Sequence, residues 1–212
     1  MKEKKLQKIY DRLFAAFGPQ HWWPGETALE VAVGAVLTQN TNWRNVEKAI
    51  GNLKKKGLLD AERLHLMPVR QLAELIKPAG YFNIKAERLK NFVEFLTVQY
   101  GGSMRKMGGG DEATIRGKLL SVNGIGPETA DSIILYALDR PVFVIDAYTK
   151  RVLSRHNIMR QDSSYDNFQQ LFHSSLEMDT VTYNEFHALF VRLAKENCRT
   201  KPLCGGCPLE RM

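Results

Sequence analysis

Residues 119–146 read LLSVNGIGPETADSIILYALDRPVFVID, and they carry more information than any other part of the chain. The end of an apolar helix leads into a glycine hairpin, Asn123-Gly124-Ile125-Gly126, and a second helix is predicted from Pro127. Glycines at this spacing allow a tight turn, and N–H groups at the start of a helix can bind an anion such as phosphate. The apolar run that follows ends in a single carboxylate, Asp146. The stretch therefore predicts a phosphate-binding turn and, at a fixed distance from it, one carboxylate.

The rest of the chain has the apolar periodicity of helices and no convincing two-residue alternation of the kind typical of strands. The N-terminal segment is predicted to be an amphipathic helix with these residues on one side: Leu6, Ile9, Tyr10, Leu13 and Phe17. Further helices are predicted over residues 28–39, 45–55, 60–66, 69–76, 84–99, 112–120, 127–138, 147–155, 165–176 and 182–196. Glycines at 101–102 and 108–110 bracket a predicted surface loop. The predicted fold class is all-α.

Composition sets broad limits on function. A chain of 212 residues with 44% hydrophobic content is long enough for one large domain or two smaller lobes. No segment approaches the roughly 18 apolar residues that a membrane span needs, and the charged N-terminus lacks an apolar signal core. A cytoplasmic protein without membrane contact is expected. The net charge of +7 is compatible with nucleic acid but does not prove it, because the basic residues are dispersed.

Four blocks of sequence, in this order, resemble the helix-hairpin-helix DNA glycosylases of the endonuclease III superfamily. They are GAVLTQNT at 34–41, GYFNIKAERL at 80–89, the hairpin at 122–126 and a cysteine cluster at 198–207. The resemblance implies two helical lobes that flank a DNA-binding cleft. A six-helix barrel lobe with the hairpin would span residues 25–135, and residues 1–24 with 136–212 would form the second lobe. The implied partner is double-stranded DNA with a damaged base, bound by a monomer.

Asp146 matches the catalytic aspartate of that family. Breaking an N-glycosidic bond builds positive charge on the sugar, which a fixed carboxylate stabilises, and the carboxylate can also activate a water. The alternative is that Asp146 only caps the helix that follows. Its spacing from the hairpin favours catalysis, and the two roles are compatible because a helix N-terminus helps to keep a carboxylate ionised.

Glu128 occupies the position at which bifunctional members of the family carry a lysine that attacks the sugar. A carboxylate cannot form the Schiff base of that reaction, so a monofunctional enzyme is predicted, with Glu128 and Asp146 facing each other across the cleft. Lys150 lies close enough to Asp146 in sequence to be a substitute, but the matching position is the better guide.

The motif WWP at 22–24, taken together with the first two blocks, most resembles the bacterial endonuclease III-like 3-methyladenine DNA glycosylases. The resemblance assigns the flipped base to a pocket of Trp23, Pro24 and Trp43, where aromatic rings suit a cationic alkylated purine. The alternative is that the tryptophans at 22–23 are core or hinge residues. Gln39 matches the residue that fills the gap left in the duplex, although it could merely end its helix.

The resemblance also assigns contacts with DNA phosphates to residues in two blocks: Asn123, Gly124, Gly126, Thr129 and Lys85. Asn83 is implied as a cleft residue, and the alternative for Lys85 is a solvated surface lysine. His187 matches the subgroup pattern, but a lone histidine on an apolar helix is more often a core residue. The subgroup can carry a lysine two positions after this histidine, where this chain has Leu189.

All three cysteines lie near the end of the chain, at Cys198, Cys204 and Cys207. A chain without a signal peptide favours metal binding over disulfides for such a cluster. The set resembles the [4Fe–4S] loop of the family, in which the fourth cysteine would fall just past Met212. The sequence given could stop short of it, or the site could have three cysteines, or it could have decayed. Zinc is the alternative metal. Resemblance further implies a monovalent cation bound by the carbonyls of Leu120, Val122 and Ile125.

The leading prediction is a DNA repair glycosylase that removes a damaged purine, with 3-methyladenine favoured. Within the same class, uracil, mismatched thymine or an oxidised pyrimidine are alternative substrates. A helix-hairpin-helix module that binds DNA without catalysis is the non-enzymatic alternative. A nuclease is disfavoured because no acidic metal-binding cluster accompanies Asp146 in the sequence.

Overall fold

The computed structural model describes the backbone of residues 2–210 and 212 and the side chains of residues 4–210 and 212. The part of the chain so described is helical and contains no strand, which confirms the all-α prediction. It divides into two compact units. One unit is the continuous segment Pro24–Arg140, and the other combines the chain up to Trp23 with the chain from Pro141 onward. No described helix is long and apolar enough to cross a membrane.

The continuous unit is built from eight α-helices, one 3-10 turn and one π turn. They are α2 (Ala28–Leu37), α3 (Trp43–Lys55), α4 (Ala61–Leu66), α5 (Val69–Leu75), α6 (Phe82–Tyr100), α7 (Met104–Gly108), α8 (Glu112–Leu120) and α9 (Pro127–Ser132). A 3-10 turn at Lys77–Ala79 follows α5, and a π turn at Ile133–Ala137 continues α9.

Helix α2 is the central element of this unit. Thr27 caps it by accepting a hydrogen bond from the N–H of Glu30, and residues from Glu30 to Leu37 are buried. It packs against α3, α6, α9 and the π turn. A helix that is apolar all round must be covered on all sides, because exposing any face would return apolar area to water. This explains why the helices of the unit surround α2.

The segment between the two glycine groups is not the surface loop that its flanking glycines predict. Residues Met104–Gly108 form the short helix α7, capped by Ser103, and both Met104 and Met107 are buried. Two methionines three residues apart lie on one face of a helix. The sequence therefore contains an apolar pair that is compatible with a helix, but five residues are too few for helical periodicity to be recognised.

The second unit contains α1 (Lys2–Phe17), α10 (Ala147–Arg155), α11 (Tyr165–Ser175) and α12 (Thr180–Glu196). Leu6, Ile9 and Leu13 of α1 are fully buried, as the amphipathic pattern predicts, and α1 packs against α11 and α12. Phenylalanines form the centre of the unit. The ring of Phe143 stacks on Phe172 with centroids 3.6 Å apart.

A bidentate ion pair joins the two helices of the hairpin. Asp131 on α9 is fully buried, and Arg116 on α8 donates to both of its oxygens, with Nε–Oδ1 at 2.7 Å and Nη2–Oδ2 at 3.2 Å. A parallel pair of such bonds fixes orientation as well as distance. The pair therefore holds α8 and α9 at a defined angle on either side of the glycine turn.

Replacing Asp131 with Asn should lower the free energy of unfolding by about 3 kcal/mol, because Arg116 would keep its charge in a largely buried setting without its counter-ion. Equilibrium urea unfolding measures this change. The matched control is Asp162→Asn, which breaks the exposed Arg160–Asp162 pair and should leave stability nearly unchanged. Equal effects of the two substitutions would contradict a structural role for the buried pair.

Candidate active site

The extended segment 142–145 sets the position of Asp146 in the second unit. Its residues are buried, and α11 supplies partners for its backbone. The Phe143 N–H donates to His173 Nε2 at 3.0 Å, and the Phe143 carbonyl accepts from Gln169 Nε2 at 2.8 Å. The N–H of Ile145 donates to the Tyr165 hydroxyl at 3.2 Å. A buried extended segment that does not belong to a sheet needs such partners, since buried backbone groups are costly to leave unpaired. The segment is thereby held in one register.

Asp146 caps α10. Its Oδ1 accepts a hydrogen bond from the N–H of Thr149 at 2.7 Å, and its backbone carbonyl accepts one from the backbone N–H of Lys150 at 3.1 Å. The residue is only 9% exposed. The capping role weighed from the sequence is therefore confirmed, and it leaves the catalytic role as a prediction. The N-terminus of α10 contributes a positive field at the carboxylate.

The second carboxylate oxygen of Asp146 lies beside a histidine. His187 Nε2 on α12 is 3.5 Å from Oδ2, and His187 is itself buried. Burial raises the pKa of Asp146, but the charge of His187 and the N–H of Thr149 outweigh it, so the pKa lies below its ordinary value. The carboxylate is therefore ionised at neutral pH although it is almost completely shielded from water.

The glycine hairpin in the continuous unit has the predicted geometry of a tight turn. Gly124 has φ of +91°, and a Cβ built on it would lie 2.2 Å from Cγ of Arg88. Glycine is required here for both reasons. Gly126 is exposed and caps α9, with Pro127 as the first helical residue. Asn123 is also exposed, and its carbonyl accepts from the side chain of Asn91.

Gln39, the predicted wedge, is hydrogen-bonded to the hairpin. Its Nε2 donates to the Gly124 carbonyl at 3.1 Å and to the Thr129 hydroxyl at 2.9 Å. Its Oε1 accepts from Arg88 Nη1. Thr129, expected on a phosphate, is buried and forms part of this network. The structure thus brings two groups of predicted DNA-contacting residues together, although they lie far apart in sequence.

Lys85 does not occupy the position that the sequence analysis gives it. It is neither at a phosphate nor on a solvated surface: it is 1% exposed, and Nζ donates to the carbonyls of Leu37 at 2.8 Å and Ala79 at 2.7 Å. Burial, with the nearby charge of Arg88, lowers the pKa of Lys85 to about 8. The phosphate role is thus wrong. The amine instead pairs with carbonyls at the ends of α2 and the 3-10 turn, which helix geometry leaves open.

Glu128, at the lyase position, lies exposed in the first turn of α9. Lys150 lies in the first turn of α10, and its Nζ is 3.4 Å from the Ser163 carbonyl and 5.2 Å from the ring centroid of Phe168. These contacts occupy Lys150 away from the Asp146 carboxylate. They give no support to Lys150 as a substitute nucleophile.

The predicted pocket residues have different surroundings. Trp23 is half-buried, with its ring edge-on to Trp22 at 5.8 Å between centroids. Pro24 is exposed. Trp43 is the half-buried first residue of α3, and its Nε1 donates to Glu47 at 2.8 Å. Trp23 belongs to one unit and the other two residues to the other. The pocket that would join them stays a prediction.

The three cysteines line one cavity of about 380 Å³ in the second unit, together with Arg155 and His156. Arg155 Nη1 donates to Cys198 Sγ at 3.3 Å and to the Arg199 carbonyl at 2.6 Å. Across the described side chains, no three His, Cys, Asp or Glu residues lie close enough to hold a single metal ion. The [4Fe–4S] cluster, and zinc as its alternative, stay predictions.

The predicted cation site lies in the turn between α8 and α9. The Val122 carbonyl accepts from the N–H of Ile125 at 3.0 Å, and this bond closes the hairpin. Leu120 is the last residue of α8. A carbonyl has two lone pairs, so the turn is compatible with a cation, and the site stays a prediction.

Three side chains contact candidate functional residues in ways that the sequence does not predict. His187 matches the subgroup pattern and is favoured by the sequence as a core residue; it is buried, and it also lies beside Asp146. Arg88 contacts Gln39, and Arg155 contacts Cys198. Each belongs to a helix with an ordinary amphipathic pattern, and each contact joins elements far apart in sequence. The block GYFNIKAERL was the signal that could have drawn attention to Arg88.

Residues 33–178 match the family described as HhH-GPD superfamily base excision DNA repair protein. The chain is also 48% identical to a Methanocaldococcus jannaschii protein to which DNA repair glycosylase activity is provisionally assigned. That alignment of 215 residues covers 99% of this chain and 97% of the relative.

Two solved structures are similar throughout. One is Helicobacter pylori 3-methyladenine DNA glycosylase (MagIII) bound to 1,N6-ethenoadenine, with a TM-score of 0.76 and 26% identity, covering 92% of this chain and 97% of that one. The other is a non-covalent endonuclease III–DNA complex, with a TM-score of 0.83 and 20% identity, covering 98% and 92%. At that identity, the second likeness shows the fold alone.

The lowered pKa of Lys85 makes stability depend on pH. Between pH of about 8 and about 10.5 the unfolded chain binds a proton at Lys85 that the folded chain has lost, so stability rises with pH in this window. Urea unfolding should show that the free energy of unfolding of wild type, relative to that of Lys85→Met, rises with pH across this window. Lys77→Met, at an exposed lysine, is the control. A pH-independent difference between wild type and Lys85→Met would contradict the shift.

Proposed function

Because the chain belongs to the HhH-GPD superfamily of base excision DNA repair proteins and is a DNA glycosylase, we propose that it excises an alkylated purine from duplex DNA. The proposed main substrate is 3-methyladenine, and the proposed reaction is hydrolysis of the N-glycosidic bond without strand cleavage. The observation that carries the proposal is the buried, ionised carboxylate of Asp146 at the start of α10.

The chemistry follows from the surroundings of Asp146. As the bond to the base breaks, the sugar develops positive charge, and a carboxylate fixed in a poorly hydrated setting stabilises that charge more strongly than it could in water. The Thr149 N–H donates to one oxygen of the carboxylate, and His187 lies beside the other. Alkylation of a purine ring already weakens the glycosidic bond, so one carboxylate suffices and no covalent enzyme intermediate is needed.

Glu128 supports a monofunctional enzyme. A lyase needs an amine that can attack the sugar, and at this position the chain has a carboxylate, exposed in the first turn of α9. Lys150, the other candidate, has partners at Ser163 and Phe168. We therefore propose that the product is an intact strand with an abasic site.

The choice of base rests on the aromatic residues and on one relative. Trp23, Pro24 and Trp43 would enclose the flipped base, and stacking on tryptophan suits an electron-poor, cationic purine. The Helicobacter pylori relative with 26% identity is a 3-methyladenine DNA glycosylase and binds 1,N6-ethenoadenine. Both bases are modified adenines. Leu189, at the position of the subgroup lysine, is the departure that most affects the exact substrate.

The grip on DNA is proposed to come from the hairpin. The exposed Asn123 and Gly126 would offer backbone N–H groups to phosphates on one strand, with no information about base sequence. Gln39 would fill the gap in the duplex after the base has left. To do so it must exchange its bonds with Gly124 and Thr129 for bonds with bases. Lys85 takes no part in this grip, since its amine is buried on two carbonyls.

We also propose that the cysteine cavity holds a [4Fe–4S] cluster. Three thiols line this cavity, those of Cys198, Cys204 and Cys207. A cluster of this type takes four ligands, so the fourth would come from another group. When bound, the cluster would order the loop that carries Arg199 and Lys201. The role of these two residues would be to approach DNA phosphates, and no electron transfer is involved.

Base release tests the proposal directly. Methylated duplex DNA is incubated with wild type and with Asp146→Asn, and the released bases are separated and identified. Wild type should release 3-methyladenine, and Asp146→Asn should lower the rate about 100-fold or more because the charge opposite the sugar is lost. Strand breaks should appear only after alkali treatment.

Two outcomes would contradict parts of the proposal. A protein–DNA adduct trapped by borohydride would show a Schiff base and overturn the monofunctional mechanism, and Lys150→Met would then identify the amine. Release of uracil, mismatched thymine or oxidised pyrimidines in place of 3-methyladenine would overturn the substrate. Tight duplex binding with no release of any base, unchanged in Asp146→Asn, would indicate a binding module.

Metal content tests the cysteine site independently of activity. Protein purified without oxygen should contain iron and inorganic sulfide in equal amounts, and Cys204→Ser should lose both. Ser174→Ala, on α11 away from the cavity, is a control that should retain both. Zinc without sulfide, or no metal in wild type, would overturn the cluster.

A further inference from the structure

The two oxygens of the Asp146 carboxylate have different partners. Oδ1 accepts from the N–H of Thr149 at 2.7 Å, which is a short helix-capping bond. Oδ2 faces His187 Nε2 at 3.5 Å. The first contact belongs to the helix that Asp146 begins, and any capping residue would form it. The second comes from a different helix, α12, and has no role in capping.

We propose that His187 is a positioning residue for the catalytic carboxylate: it fixes the direction of Oδ2 and keeps the group ionised in its buried setting. This inference rests on the proposed function of Asp146. His187 acts through the carboxylate.

The location of His187 is tightly determined. It is 5% exposed and lies on the buried side of α12, between Phe186 and Ala188, which are buried as well. The ring of Phe143 meets it edge-on, with centroids 6.4 Å apart and an angle of 82° between the planes. Phe143 belongs to the extended segment that ends at Asp146. The same aromatic ring thus packs against the histidine and anchors the segment that carries the carboxylate.

An imidazole in this apolar setting is costly unless its nitrogens interact. At 3.5 Å the contact is longer than a strong hydrogen bond, so its effect on the carboxylate is mainly electrostatic. Nε2 is the ring nitrogen nearest to Oδ2, and a hydrogen on it would direct positive charge towards that oxygen. Together with the Thr149 N–H, this contact restrains rotation of the carboxylate about its Cβ–Cγ bond. A carboxylate aligned before the substrate arrives needs no reorganisation during the reaction.

Several other charged or titratable groups on the packed elements have partners of their own. These pairs are Lys5 with His156, Arg12 with Glu210, Lys150 with Ser163, Arg151 with Cys198 and Ala194, His173 with Phe143, and Glu185 with Gln20. Tyr10 on α1 packs against Phe186. Of the groups that face the carboxylate, His187 is the one whose charge lowers the pKa of Asp146. The coupling between the two is therefore measurable.

A double-mutant cycle tests whether His187 acts through Asp146. Single-turnover base release from methylated duplex DNA is measured for His187→Leu and His187→Gln, each in wild-type and Asp146→Asn backgrounds. His187→Leu should lower the rate constant about 10-fold or more, with the Kd for a duplex carrying an abasic-site analogue unchanged. His187→Gln retains an N–H donor and should recover part of the loss. In Asp146→Asn, neither substitution should lower the rate further.

Phe190→Leu is the matched control for packing. Phe190 lies on α12 one turn from His187, is fully buried, and stacks on Phe186 with ring centroids 4.7 Å apart. This substitution should lower the melting temperature while it leaves the single-turnover rate constant of the folded protein unchanged. A rate loss in Phe190→Leu equal to that in His187→Leu would show that packing alone explains the effect, and it would overturn the proposal.

A second measurement does not depend on activity. The carboxyl carbon of Asp146 is titrated by NMR in wild type and in His187→Leu, and the pKa of Asp146 should rise in the variant because a favourable charge is removed. An unchanged pKa, or rate losses that add fully in the two backgrounds, would overturn the proposal. If wild type releases no base from any duplex while the pKa still rises, the proposed function fails and the coupling stands.

Discussion

The hydrogen bond from the Thr149 N–H to Asp146 is the interaction on which the proposed catalytic role of this carboxylate depends. A carboxylate that is 9% exposed would ordinarily take up a proton, because burial penalises its charged form. The first turn of α10 offsets that penalty with an N–H and with the positive end of the helix, and His187 adds to it from α12. An aspartate at a helix start is common. A buried one, held on both oxygens, is suited to stabilising positive charge.

The residues proposed to contact DNA in the continuous unit are organised around the end of α2. The helix is buried almost throughout, and its last carbonyl, at Leu37, accepts from the buried amine of Lys85. Gln39 follows directly and bonds to the hairpin at Gly124 and Thr129. The proposed wedge and the proposed phosphate-binding turn are therefore hydrogen-bonded to each other. If Gln39 enters a duplex as proposed, these bonds must break, so DNA binding at the hairpin and insertion of Gln39 are expected to influence each other.

Helix α10 connects the carboxylate with the cysteine loop. Asp146 begins it, and Arg155 ends it with contacts to Cys198 and to the carbonyls of Arg199 and Thr200. Arg151 adds a bond to the Cys198 carbonyl from the middle of the helix. The cysteine loop and the carboxylate proposed for catalysis therefore contact opposite ends of one helix.

The sequence by itself determined the all-α class, the glycine hairpin, most helix boundaries and the position of Asp146 at a helix start. These are local properties: apolar periodicity, glycine with positive φ and capping all act within a few residues. It failed where the outcome was non-local. Lys85 has the composition of a surface residue, and only the packing of α6 against α2 shows that its amine lies on two buried carbonyls. His187 was indistinguishable from a core histidine until α12 placed it beside Asp146. Tertiary structure decided these positions, because the partners of a buried polar group come from whichever distant element packs against it.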